Sequence, residues 1–182
     1  MIETMELSLI AILVSALIVC AITDSRRQRI PNWVTLPLIF LGIVLHSVDS
    51  GWAGCLLALK GCGLGFLLFF IPYVLGGMGA GDVKLLSAVG AVTGPAGILQ
   101  AFFYIAFIGG AYALLAIIRR QGLRAFVGQH FRSLRDFLAT GYYASPTDLT
   151  IANKRARFGY GIPIALGTFA YLLQTHFGAL VP

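Results

Sequence analysis

Charge is scarce in this sequence. Only 11% of its 182 residues are Asp, Glu, Lys or Arg, against 58% apolar. A soluble domain needs far more polar surface to cover its core, so that class is excluded and a membrane protein is expected. Cysteine is also sparse. Cys20, Cys55 and Cys62 lie in apolar runs and form no C-x-x-C pair, so a zinc site is not suggested and buried structural thiols are expected. No metal or organic cofactor is implied. Internal repeats and low-complexity tracts are missing too, which leaves a single polytopic domain over residues 1–182 as the simplest organisation.

What is present is a series of long apolar runs. A spanning helix needs roughly 20 mostly apolar residues. Candidate spans are Met5–Thr23, Trp33–Val48, Trp52–Leu75, Val83–Thr93, Ala96–Ile118 and Tyr160–Val181. The expected fold is therefore all-α, a bundle of about six transmembrane helices. The Val83–Thr93 run is short, about 17 Å at 1.5 Å per residue, before Gly94-Pro95 interrupts it. A tilted, half-membrane or kinked helix fits there. The first run lacks a basic start and carries Glu3 and Glu6 instead, so it reads as a retained anchor and not as a removed signal.

The basic residues are one-sided. Arg26, Arg27 and Arg29 follow the first run, Lys84 follows the third connection, and the remainder except Lys60 fall between Arg119 and Arg157. The positive-inside rule places these segments in the cytoplasm and both termini on the opposite side. A net charge of +6 distributed this way is topogenic and gives no reason to expect nucleic acid. Leu123, Phe126, Val127, His130, Phe131, Leu134, Phe137 and Leu138 recur at helical spacing among Arg124, Arg132 and Arg135. That pattern predicts a basic amphipathic cytoplasmic helix at the lipid interface, or one packed on the bundle, with His130 in its apolar stripe. Gly61-x-x-x-Gly65 and Gly90-x-x-x-Gly94 permit close helix contacts, a pattern common by chance in a glycine-rich chain.

Ionisable groups at membrane depth are costly and mark function. Asp24 ends the first run, and Asp82 opens the fourth inside Gly79-Ala80-Gly81-Asp82-Val83-Lys84-Leu85. The topology puts both at the cytoplasmic face. Two such carboxylates suit water activation, one ionised as base and one protonated toward a carbonyl. Glycines ahead of Asp82 leave room for backbone and substrate. Taken singly, Asp82 also reads as a helix cap and Asp24 as an interfacial anion beside Arg26 and Arg27. By helix dipoles, Asp82 at a helix start should favour ionisation and Asp24 at a helix end should hold a shared proton.

The segment Gly79–Leu85 resembles the G-x-G-D-x-K-L motif of prepilin leader peptidases. Asp24 through Asn32, D-S-R-R-Q-R-I-P-N, resembles that family's first motif, and Gly161-Ile162-Pro163-Ile164-Ala165-Leu166-Gly167 is similar to the start of its last helix. The resemblance runs over most of the chain in matching order. It implies an aspartic endopeptidase with Asp24 and Asp82 catalytic, and with Gly79, Gly81, Lys84, Pro31, Asn32 and Pro163 binding substrate or shaping the site. The implied substrate is a prepilin or pseudopilin, cut after a glycine at the end of a short basic leader. Lys84 and the arginines are candidates to meet a substrate glutamate. Membrane lipid is the other implied partner, and pilus assembly machinery enters only indirectly.

Larger members carry paired C-x-x-C motifs in a cytoplasmic insertion linked to N-methylation. Nothing like it fits between Thr23 and Pro37, so the chain resembles the short, peptidase-only form of tight-adherence (Flp) pilus systems. Two alternatives remain. Presenilin and signal-peptide-peptidase-like intramembrane proteases share G-x-G-D, but their first aspartate lies deeper and follows tyrosine, where Thr23 stands here. A non-enzymatic membrane scaffold or transport subunit would tolerate Asp-to-Asn replacement.

Overall fold

The computed structural model describes residues 2–75, 78–121 and 159–177. These form helices α1 (Ile2–Arg27), α2 (Asn32–Val74), α3 (Ala80–Gln121) and α4 (Gly161–Phe177), with no strand among the described residues. The all-α expectation holds. Among the described residues, three helical stretches are long and apolar enough to cross a membrane, Ser8–Arg27, Asn32–Val74 and Ala80–Leu115, and Gly161–Thr175 is a shorter apolar helix. The amphipathic helix expected around residues 122–140, with His130, lies outside the described residues.

A continuous α2 of 43 residues would extend about 65 Å, twice a hydrocarbon core of roughly 30 Å. It is not continuous. Ser50 and Gly51 leave helical geometry, Gly51 at φ 60°, a conformation that glycine adopts without a Cβ penalty. The break separates the two apolar runs read on either side of it. Helix α3 breaks likewise at Gly94 (φ 71°, ψ 180°), followed by Pro95, so the short run 83–93 forms a helical limb of its own. Carbonyls ahead of such a break lose their helical donors, and the Val92 carbonyl is met by His46 Nε2 at 2.8 Å.

By internal contacts the chain divides into two units. One comprises Met1–Gly109 with Phe158–Pro182, and the other Gly110–Arg157. In the second, the described residues continue α3 as regular helix. In the first, the limb 80–93 is central: Val83, Leu85, Leu86, Ala88, Val89 and Ala91 are all buried. Leu13, Leu17 and Cys20 of α1, Leu38 and Phe69 of α2, and Ile164 and Leu172 of α4 complete this core.

Apolar side chains gain little from packing together when lipid is the alternative, so close backbone approach has to supply the attraction. The glycines do this. A Cβ at Gly61 would collide with the Gly90 carbonyl and lie 2.8 Å from Gly94 C, and one at Gly65 would stand 2.5 Å from the Leu86 carbonyl oxygen. One at Gly42 would stand 2.8 Å from the Ala91 oxygen. The two G-x-x-x-G patterns thus pack on one another. Cys20 is buried as expected, whereas Cys55 and Cys62 are only partly so, because they sit on the second limb of α2 away from its glycine face.

Candidate active site

Three sequence segments meet in the first unit. Helix α1 ends at Arg27, and the next residue, Gln28, has a left-handed φ of 50° and donates its N–H to the Asp24 carbonyl at 2.8 Å. Residues 28–31 then turn the chain into α2, where Pro31 occupies the N-cap position (φ −75°, ψ 129°). Its carbonyl accepts the N–H groups of Val34 and Thr35 at 3.2 and 3.4 Å. This turn brings Ile30 against Gly81: a Cβ on Gly81 would stand 3.0 Å from the Ile30 Cβ. Lys84 Nζ donates to Asn32 Oδ1 at 3.1 Å, tying α3 to the start of α2 a second time.

Asp82 lies in the first turn of α3 and is 5% exposed. Its Oδ2 accepts the Gly79 N–H at 3.0 Å, while its own N–H donates to the Gly79 carbonyl at 3.1 Å. The side chain therefore caps the helix start, as the structural reading of the sequence expected. A Cβ on Gly79 would sit 3.3 Å from that Oδ2, so glycine keeps the approach open.

Asp24, 4% exposed, lies in the last turns of α1. Its Oδ2 accepts the Gly161 N–H at 2.8 Å. A Cβ at Gly159 would come within 2.5 Å of Oδ2, and one at Gly161 within 2.8 Å. Asp24 is thus wrapped by the start of α4. Pro163 stands in the first turn of that helix, where a missing N–H costs nothing, and is fully buried.

Asp24 and Asp82 belong to the same compact unit, and Gly81, beside Asp82, packs on Ile30 in the turn that follows Asp24. The proton assignment argued from helix dipoles loses its basis, however. Asp24 does end α1, but its carboxylate also caps the N-terminus of α4, so both carboxylates meet positive helix ends.

A family model for the type IV leader peptidase family matches residues 11–114, more than half of the chain and inclusive of both aspartates. The chain belongs to the type IV leader peptidase family. The matched stretch stops short of Gly159–Pro163, which the fold nevertheless sets against Asp24. Among related family members, the prepilin leader peptidase/N-methyltransferase of Bacillus subtilis (strain 168) is 32% identical over 120 residues, covering 63% of this chain and 47% of that protein. The protein of the same description from Xanthomonas campestris pv. campestris is 35% identical over 109 residues, 56% of this chain and 38% of that one. That of Neisseria gonorrhoeae is 33% identical over 127 residues, 66% of this chain and 42% of that one. The chain thus aligns with less than half the length of each of these relatives. No solved structure matches it.

Gly159 and Tyr160 were not singled out as site residues from the sequence. Their signal was available only as position, immediately ahead of the third family-like motif. Along α1 and α4, Val14, Leu17, Ile18, Ala21, Ile22, Ile162, Ala165, Leu166 and Phe169 line an apolar groove of about 350 Å³. Its residues include Ile22 and Ile162, close neighbours in sequence of Asp24 and Gly161.

Proposed function

We propose that this chain is a membrane aspartic endopeptidase that removes the short basic leader of prepilins or pseudopilins, cutting after a glycine at the cytoplasmic face of the bacterial inner membrane. The observation that supports the reading is a pair of buried carboxylates, Asp24 and Asp82, on different helices of one compact unit, each held by one backbone N–H. Two carboxylates in one another's field share a proton. The ionised one takes a proton from water as the water oxygen adds to the scissile carbonyl carbon. The protonated one hydrogen-bonds to the carbonyl oxygen. Breakage of the C–N bond follows, with a proton delivered to the leaving amine.

The same reading has the chain cross the membrane about six times, with both termini periplasmic and Arg26, Arg27, Arg29 and Lys84 on the cytoplasmic side. The apolar groove along α1 and α4 suits a hydrophobic substrate helix whose leader end reaches Asp24. Methylation of the new terminus is not assigned to this chain, because residues 28–31 alone join α1 to α2 and no paired C-x-x-C motif is inserted there. The short, peptidase-only form of tight-adherence (Flp) pilus systems fits that economy.

Asp24→Asn and Asp82→Asn should each abolish cleavage of a co-expressed prepilin while the protein still inserts in the membrane, as read by blotting of membrane fractions. Near-normal processing by either variant overturns the aspartic mechanism.

A further inference from the structure

Helix α3 breaks at Gly94-Pro95, so the limb 80–93 is a short rod with Asp82 in its first turn and Val92 near its last. Ten positions, about 15 Å of helix, separate the two. Whatever fixes the far end of a rigid rod also fixes Asp82.

On its α2 side the rod meets glycines. Gly42 approaches Ala91, Gly61 approaches Gly90 and Gly65 approaches Leu86, each so closely that a Cβ would fall within 2.8 Å of a backbone oxygen. Side chains seated between those of a neighbouring helix resist sliding. Glycine has no side chain, so these contacts set how near the helices lie and do little to set where along its axis the limb stops. Directional bonds do that. Among the described residues, two side-chain hydrogen bonds join the limb to α2. At its start, Lys84 Nζ donates to the exposed Asn32. At its end, His46 Nε2 donates to the Val92 carbonyl at 2.8 Å. A carbonyl only accepts, so Nε2 carries the hydrogen. His46 is half-buried and Val92 is buried, so little competes with this second bond and the lower dielectric strengthens it.

We propose that His46 is a positioning residue for the peptidase site: its bond to Val92 stops the limb at one axial position and so sets where Asp82 stands relative to Asp24 on α1. This role deepens the peptidase reading and rests on it. His46 takes no part in the chemistry and acts only through the rod. An axial shift of about 1 Å is enough to cost on the order of a hundredfold in rate.

The test is steady-state cleavage of a purified prepilin by the full chain in detergent, with His46 replaced three ways. Gln can set an amide N–H where Nε2 stands, Asn reaches only as far as Nδ1, and Leu removes the donor. His46→Gln should keep kcat within about threefold of wild type. His46→Asn and His46→Leu should lower it by about tenfold to a hundredfold, with KM within about threefold. Similar kcat in the Gln and Leu variants, high or low, overturns the assignment. If the Leu variant folds poorly, the contrast between Gln and Asn decides, and equal kcat in those two overturns it likewise.

A second readout separates positioning from local packing. His46 and Asn32 lie fourteen positions apart on α2, about 21 Å, far enough for independent effects to multiply simply. If both bonds hold one rod, His46→Leu combined with Asn32→Ala should lower kcat beyond the product of the single losses, by about threefold or more. A simple product overturns the proposal. Asp24→Asn and Asp82→Asn run in the same assay keep the two readings apart. Inactive aspartate variants beside a fully active His46→Leu remove this inference alone, and active aspartate variants remove both.

Discussion

The Gly161 N–H donates to Asp24 Oδ2 at 2.8 Å across 137 positions of sequence. One hydrogen bond thereby fixes the orientation of a carboxylate on the first helix by the first turn of the last. It also explains why two glycines flank Tyr160, since any larger residue would press into the carboxylate that the amide holds.

Gly159→Ala and Gly161→Ala keep the backbone donor and add only a methyl group, which would stand 2.5 and 2.8 Å from Asp24 Oδ2. Displacing a reacting group by a fraction of an ångström to an ångström costs up to roughly a hundredfold in rate. Both variants should insert normally and cleave at least tenfold more slowly, as seen in time courses of prepilin processing. Wild-type rates for both would mean that Asp24 needs no such cradle.

The contact between Gly81 and Ile30 is a matched pair. Gly81→Ala places a Cβ 3.0 Å from the Ile30 Cβ, so the loop that follows Asp24 must shift. Activity should fall severalfold, and Ile30→Ala in the same chain should restore much of it. A double-mutant cycle reads this coupling directly. Purely additive losses would show that the two residues act independently.

Lys84 and Asn32 should couple in a similar way, since Nζ donates to Oδ1 at 3.1 Å. Asn32 is exposed, so the bond contributes about 0.5 to 1 kcal/mol at most. Lys84→Met and Asn32→Ala should each lower the unfolding temperature slightly, and the double variant no further than the worse single one. If Lys84→Met abolishes cleavage while Asn32→Ala leaves it intact, the lysine acts on substrate and not through Asn32.

Packing of the central limb makes a separate prediction about stability. Gly61→Val drives its Cβ into the Gly90 carbonyl, and neither backbone can yield without parting the limbs. A loss of about 2 to 3 kcal/mol follows from such overpacking. Gly63→Val on the same limb meets nothing within 4 Å and should change thermal stability in detergent very little. Equal effects would assign the loss to helix propensity alone.

Local signals in the sequence carried a large part of this description. Gly94-Pro95 marked a break because a missing N–H and a permissive glycine act within a residue or two, and the apolar runs parted between Val48 and Trp52, where the structure places the break at Gly51. The lengths of the apolar runs followed from bilayer thickness. Asp24 and Asp82 drew notice because a carboxylate at that depth is expensive wherever the rest of the chain lies.

What the sequence could not supply was the partner of each group. Gly61-x-x-x-Gly65 is one of many glycine pairs, and only the antiparallel approach of the limb 80–93 makes Gly90 and Leu86 its counterparts. The helix-end argument about the shared proton failed for the same reason, because Asp24 caps a helix whose first turn is remote in the chain. Hydrogen bonds and steric contact act over a few ångströms, so pairings such as Asp24 with Gly161, Lys84 with Asn32 and Tyr160 with Phe69 exist only once distant segments have packed. Charge, length and local backbone preference are written residue by residue, whereas the shape of the site was decided by the bundle.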